Sequence, residues 1–302
     1  MIKTSLIAPP FLKPGDYIGL VASARKVSAE ELAPAINLLE SWGLKVRLPK
    51  NIYSISNQFA GTDAERLSDM QQMLDDADVK AIIVARGGYG SVRIIDNLDF
   101  THFRKNPKWI VGFSDVTVFH SHIQTHLGIQ TLHSTMPISF SKDAESTELL
   151  KKALLGELKE YHIETNSLNR QGKATGILCG GNLSLLYSLA GTASDIDTKG
   201  KILFLEDLDE YLYHIDRMML QLKRGGKLAH LGGLIIGDFS EMKDNTVPFG
   251  KTAEQIIREA VQKYDYPVCF GFPAGHSTKN FPLYMGRHCE LNVNAKTLLR
   301  FL

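Results

Sequence analysis

Val79 to Ala85 reads VKAIIVA and runs straight into Arg86-Gly87-Gly88-Tyr89-Gly90. Trp109 to Phe113 reads WIVGF and stops at Ser114. A short apolar run rich in β-branched residues, ended by glycine or a small polar residue, is the pattern of a strand buried on both faces. Working outward, Tyr17 to Ala22 (YIGLVA) and Lys45 to Leu48 are two further strands, with helical patterns between them. Ser28 and Glu31 form a capping box, Leu32, Ile36, Leu39 and Trp42 recur at helical spacing, and Gly43 closes the helix. A second helix enters through Gly61-Thr62 and carries Asp63, Arg66, Leu67, Met70 and Met73; Asp115 to His126, closed by Gly128, is a third. Strand and helix alternating in this way predict an α/β fold, a parallel sheet covered by helices. Ligands in such sheets bind beyond the carboxyl ends of the strands, where the glycine-rich loop and Ser114 both fall.

The pattern breaks at Ser141 to Gly172, a polar stretch with one short helix near Leu149 to Leu155. This predicts a first domain over 1–140, an interdomain connection over 141–172 and a second domain over 173–302. The second domain has short strands at Ala174 to Cys179, Lys201 to Leu205, Gly233 to Gly237 and Glu290 to Val293. Helices lie at Tyr211 to Lys223 and Thr252 to Tyr264. A smaller domain of mixed sheet is expected there.

Composition narrows the function. Hydrophobic residues make up 44% and charged residues 22%, the balance of a globular chain rather than a disordered one. A net charge of +1 gives no reason to expect a nucleic-acid partner, which calls for a concentrated basic surface. Cys179, Cys269 and Cys289 form no C-x-x-C pair and no even-numbered framework, so reducing cytoplasm is the expected setting. MIKTSLIAPPFLKPGD lacks the roughly 7–15-residue apolar core of a secretory signal. No stretch reaches the ~20 apolar residues of a membrane span.

Four segments carry chemistry. In Gly112-Phe113-Ser114-Asp115-Val116-Thr117 a serine sits between strand and helix. Two readings fit: a helix N-cap, or a nucleophile in a tight turn beside the unpaired N–H groups of a helix start. It is analogous to a nucleophile elbow without the G-x-S-x-G sequence. The Arg86–Gly90 loop is neither G-x-G-x-x-G nor a Walker loop; it is a plain turn or a backbone cradle for an anion. Glu206-Asp207-Leu208-Asp209-Glu210 follows the apolar Leu203-Phe204-Leu205. It reads as a solvated helix start, with Glu206, nearest the strand, the best candidate to orient a histidine. His276, in Gly271-Phe272-Pro273-Ala274-Gly275-His276-Ser277, is either an ordinary loop histidine or one exposed and mobile enough to act as a base. His122 and His126 stand four apart near His120, but no H-E-x-x-H accompanies them, so no metal site is expected.

In order, ARGGYG, VGFSDVT, GILCGGNLSLL, ILFLED and FPAGHS resemble the LD-carboxypeptidase family of serine peptidases over almost the whole chain. The resemblance implies a flavodoxin-like, parallel-sheet N-terminal domain and a smaller swivelling β/β/α C-terminal domain. It implies a triad of Ser114, Glu206 and His276, an oxyanion hole from backbone N–H groups near Gly88 and Asp115, and a substrate-side place for Asn182. It further implies a homodimer, no cofactor, and a murein tetrapeptide as substrate, cleaved before its terminal D-alanine inside the cell during peptidoglycan recycling. A carboxypeptidase needs a cation for the terminal carboxylate, and Arg86 and Arg104 are the expected choices. Two alternatives remain: a microcin-resistance peptidase acting on aminoacyl-nucleotide peptides, ranked second for want of an aromatic insertion, and a non-catalytic ligand-binding protein.

Overall fold

The computed structural model describes residues 6–302, so Met1–Ser5, read above as the start of a non-secretory N-terminus, lie outside it. Its first half runs β1 (Tyr17–Val21), α1 (Ala29–Ser41), β2 (Lys45–Arg47), α2 (Asp63–Asp75), β3 (Val79–Val84), α3 (Thr101–Lys105), β4 (Trp109–Gly112), α4 (Thr117–His126) and β5 (Thr131–His133). Then come α5 (Ala144–Leu154), β6 (Glu160–Glu164), β7 (Gly172–Asn182), α6 (Leu183–Leu189), β8 (Ile202–Leu208), α7 (Leu212–Arg224), β9 (Gly233–Ser240) and α8 (Ala253–Ala260). Four strands close the chain: β10 (Val268–Phe270), β11 (Leu283–Met285), β12 (His288–Val293) and β13 (Lys296–Phe301).

The first sheet has the order β11-β5-β4-β3-β1-β2. Its first five strands pair parallel in the order 2-1-3-4-5, which is flavodoxin-like and doubly wound. β3 and β4 lie inside it, and apart from half-buried Lys80 every residue of the two strands is buried. That is why their sequences run apolar without alternation. The chain leaves β1 toward β2 on one side and β3 on the other. A crevice therefore opens beyond the carboxyl ends of β1 and β3, the switch point of such a sheet. The expected capping box closes α1: Ser28 Oγ accepts from the Glu31 N–H at 3.2 Å, and Glu31 accepts from the Ser28 N–H at 2.8 Å.

The second sheet has the order β10-β9-β8-β7-β12-β13-β6, parallel from β10 to β7 and antiparallel beyond. The two sheets are interleaved. β11, late in the chain, pairs antiparallel with β5 and completes the first sheet. Residues 141–172, read above as a connection, carry α5 and β6, and β6 edges the second sheet. One apolar cluster runs through both, including Trp109, Leu132 and Tyr284 on the first side and Phe204, Ile235 and Leu299 on the second.

Two glycines seat the end of β7, one against its own sheet and one against the first half. β7 extends past Cys179 to Asn182 because Gly180 and Gly181 permit close approach. A Cβ on Gly180 would fall 2.0 Å from the Phe204 carbonyl oxygen, and one on Gly181 would fall 2.5 Å from Thr117 Oγ1. The gap lets the Asn182 N–H donate to Thr117 Oγ1 at 3.0 Å, joining β7 to the helix behind Ser114.

Candidate active site

Ser114 holds a φ of +61°, a left-handed conformation that a non-glycine residue adopts at a cost of about 1–2 kcal/mol. The surroundings hold it there. His120, buried within α4, donates from Nε2 to the Gly112 carbonyl at 2.9 Å and accepts at Nδ1 from Thr131 Oγ1 at 2.8 Å. Burial takes its pKa down to about 4, so this ring is a neutral strut for the turn. Asp115 buries its carboxylate and accepts from the Ser91 N–H at 2.8 Å, which ties the glycine-rich loop to the serine turn. Its burial pushes the carboxyl pKa up, partly offset by Ser91 and Gly90. Gly87 abuts Ser114 directly: a Cβ there would stand 3.3 Å from Ser114 Cβ and 3.4 Å from Oγ.

Glu206, on β8, is wholly buried and places Oε2 2.7 Å from His276 Nδ1. Burial alone would lower the His276 pKa. The charge and hydrogen bond of Glu206, helped by Asp207 and Asp238, outweigh it and leave the imidazole above its ordinary value. The His276 ring packs on Phe113, the neighbour of Ser114, at 4.8 Å between centroids. With Nδ1 committed to Glu206, Nε2 is the ring nitrogen left for a reactant. Ser114 and His276 line one cavity of about 440 Å³, and a bond between a nucleophile and its base often forms only once substrate is bound.

The His276 loop leaves β10 in the second sheet and ends at β11 in the first. It is fastened on the way by Asn280. Asn280 Oδ1 accepts from the Gly275 N–H at 3.1 Å and from His133 Nε2 at 3.2 Å, while the Asn280 N–H donates to Ser146 Oγ at 2.9 Å. The Gly275 donor fixes which way the carboxamide points, so His133 must carry its proton on Nε2. Deep burial keeps His133 neutral, far below the usual imidazole pKa.

The acidic stretch corrects the solvated-helix-start expectation. β8 continues to Leu208 and α7 begins only at Leu212, so Asp207 lies within the strand and is buried. It accepts from Asn182 Nδ2 at 3.0 Å, the Leu208 N–H at 2.8 Å and the Ser184 N–H at 2.9 Å. Burial first, and then the charge of Glu206, push its pKa up to about 7. Asp209 instead pairs with Lys243 at 2.6 Å, and Glu210 with His214 at 2.5 Å.

Gly88 lines the cavity at a φ of +121°. Among the described residues, no backbone carbonyl accepts from the N–H groups of Gly88 or Asp115. Asn182 also lines the cavity. Its carboxamide caps α6 by accepting from the Leu185 N–H at 3.2 Å, and it accepts a second bond from the Ser184 hydroxyl at 2.8 Å. Arg86 reaches the cavity and pairs with Glu31 at 3.3 Å. Arg104 does not: its guanidinium donates to the His126 carbonyl at 3.3 Å, on another face. The His122 and His126 rings lie 4.5 Å apart at a tilt of 42°, each bonded elsewhere, to Ser194 Oγ and to the Ala193 carbonyl. Sequence reasoning missed Arg25 and Lys142, which line the cavity. Arg25 follows the end of β1, so the switch-point rule was the available signal for it.

A doubly wound α/β half joined to a mixed sheet, with a serine turn and a carboxylate-bound histidine facing one cavity, defines the class as a hydrolase. The chain belongs to the LD-carboxypeptidase family: the model of the family's N-terminal domain matches residues 18–134, and that of its C-terminal domain matches residues 175–291. It is thus a peptidase. A Bacillus subtilis protein named probable murein peptide carboxypeptidase is 38% identical, over 96% of this chain and 92% of the relative. The crystal structure of muramoyltetrapeptide carboxypeptidase from Oxalobacter formigenes superimposes with a TM-score of 0.84 at 30% identity, covering 94% of this chain and 98% of that one. The microcin C7 self-immunity protein in complex with aspartyl sulfamoyl adenosine has a TM-score of 0.86 at 21% identity, covering 98% of each chain; this likeness is one of fold.

Proposed function

We propose that the protein is a serine-type LD-carboxypeptidase that removes the terminal D-alanine from murein tetrapeptides. The observation that carries the reading is the 2.7 Å contact of Glu206 with His276 Nδ1, on a ring facing the same cavity as a serine held at positive φ. In this mechanism Ser114 Oγ attacks the scissile carbonyl and His276 Nε2 takes its proton. The oxyanion is received by the N–H groups of Gly88 and Asp115. Glu206 fixes the imidazole tautomer and stabilises the imidazolium, which then protonates the leaving amine. Water repeats the sequence on the acyl-enzyme and releases the tripeptide. No step calls for a metal or cofactor.

The substrate is supported by the names of the relatives. It is also supported by the cavity lining, whose one aromatic carbocycle, Phe113, is packed against His276 and offers no platform for a nucleobase. The reading places the nucleophile on a domain of residues 1–140 and Glu206 and His276 on a domain of residues 173–302. It also carries a homodimer and a cytoplasmic setting, the latter supported by three buried, unpaired cysteines. No helix among the described residues is long and apolar enough to cross a membrane. The test is mass spectrometry of a murein tetrapeptide before and after incubation: loss of one alanine is expected, and an unchanged tetrapeptide, or cleavage at another bond, overturns the substrate.

A further inference from the structure

The segment after β1 is held from three sides. The Ala60 N–H donates to the Ala24 carbonyl at 3.0 Å, the Lys26 N–H to the Gln58 carbonyl at 3.1 Å, and Arg66 Nε to the Ser23 carbonyl at 3.0 Å. Arg25 therefore projects from a fixed backbone into the crevice at the switch point. Its stem lies on Gly88: a Cβ at that glycine would stand 2.4 Å from Arg25 Cγ and 2.6 Å from Cδ. Gly87, one residue back, abuts Ser114. Arg25 and the serine thus flank one Gly-Gly dipeptide, whose Cα atoms are about 3.8 Å apart.

Three cations line the cavity: Arg25, Arg86 and Lys142. Arg86 already pairs with Glu31 at 3.3 Å. Lys142 is a point charge at the end of the 137–142 turn. Arg25 forms no ion pair with any carboxylate among the described residues, and its stem lies against Gly88. We propose that Arg25 binds the terminal α-carboxylate of the substrate and so makes the enzyme an exopeptidase; this rests on the carboxypeptidase reading above. That carboxylate lies only about 4 Å from the scissile carbonyl carbon, counting standard bond lengths. A guanidinium fork matches it with two parallel hydrogen bonds. A substrate continuing past this residue, or ending in an amide, offers no anion there and leaves the Arg25 charge unmatched.

The experiment compares kcat/KM for a murein tetrapeptide with a free C-terminal acid and for the same peptide as its C-terminal amide. The enzymes are wild type, Arg25→Gln, Arg25→Lys and Arg86→Gln. Wild type is expected to prefer the acid by about 10- to 100-fold, the worth of a charge-assisted pair. Arg25→Gln lowers the acid rate until the preference is nearly gone, Arg25→Lys keeps part of it, and Arg86→Gln keeps it. Arg25 is exposed, so thermal melts of its variants should match wild type. Preference retained in Arg25→Gln, or lost in Arg86→Gln, overturns the assignment to Arg25 alone. A wild-type enzyme that treats acid and amide alike, or cleaves neither, overturns the carboxypeptidase reading and this assignment with it.

Discussion

Replacing Glu206 by Gln changes two quantities in opposite directions. Burial alone would push the His276 pKa down, and in the native protein Glu206 opposes this with its charge and its hydrogen bond. In Glu206→Gln only Asp207 and Asp238 still oppose burial, so the imidazole pKa falls. A general base must be neutral, so activity rises with pH through the imidazole pKa. The acid limb of kcat/KM, which in the wild type lies above the ordinary imidazole value, should therefore move to lower pH in the variant. The plateau should drop at the same time. A carboxamide at 2.7 Å either presents N–H to Nδ1 and selects the wrong tautomer, or accepts from it without a charge to stabilise the imidazolium. A loss of about 10²–10⁴ in kcat follows, with KM largely retained. Asp207 moderates the loss: its pKa is raised in part by Glu206, so removing that charge favours a carboxylate at Asp207 beside the site. The assay is a pair of pH–rate profiles on the tetrapeptide. A plateau within tenfold of wild type, or an acid limb displaced to higher pH, would refute the reasoning.

Three further perturbations read other parts of the site. Asp207→Asn turns one acceptor among three N–H donors into a donor, and should cost about 1–3 kcal/mol in a denaturant titration; Asp209→Asn and Glu210→Gln should keep stability and stay within about tenfold in turnover. Gly87→Ala sets a methyl 3.3 Å from Ser114 Cβ and should lower kcat by about 10- to 100-fold without unfolding the chain, since Gly87 has no positive φ; an unchanged kcat would mean that the serine has room to spare. Asn280→Ala frees the Gly275 N–H and His133, and should lower kcat more than it raises KM while the Arg25-dependent acid preference persists; a change in KM alone would show that the Asn280 contact does not position His276.

The sequence made the centre of the first sheet legible because β3 and β4 are buried on both faces, so their apolar runs stand out against the helices. The Ser28 capping box was equally local, and two of its hydrogen bonds are present as read. What escaped was set by contacts distant in sequence. β5, β10 and β11 have three residues each, too few to show a period, and β11 belongs to its sheet only through pairing with β5. Asp207 looked solvated because four carboxylates in five residues suggest a surface. The extension of β8 and the nearby Asn182 and Ser184, roughly 25 residues earlier, make it internal. In the cavity, Ser114, Glu206 and His276 were each ambiguous in their own segments, and only the ordered set of motifs singled them out as candidates. Arg25 was missed although it follows the end of β1 at the switch point, because nothing local to it marks the glycine it lies on. Arg104 was a candidate by residue type alone, and the fold turns it to another face.

The central claim is that Ser114 is the nucleophile. The most direct measurement is mass-spectrometric mapping of the enzyme after treatment with a fluorophosphonate, alongside turnover of the tetrapeptide by wild type and Ser114→Ala. The account predicts one adduct, on the peptide that contains Ser114, with turnover lost in proportion to labelling. It also predicts that Ser114→Ala takes no label and loses about 10⁴–10⁶ in rate while keeping its fold. An adduct on another residue, or near wild-type turnover in Ser114→Ala, would contradict it.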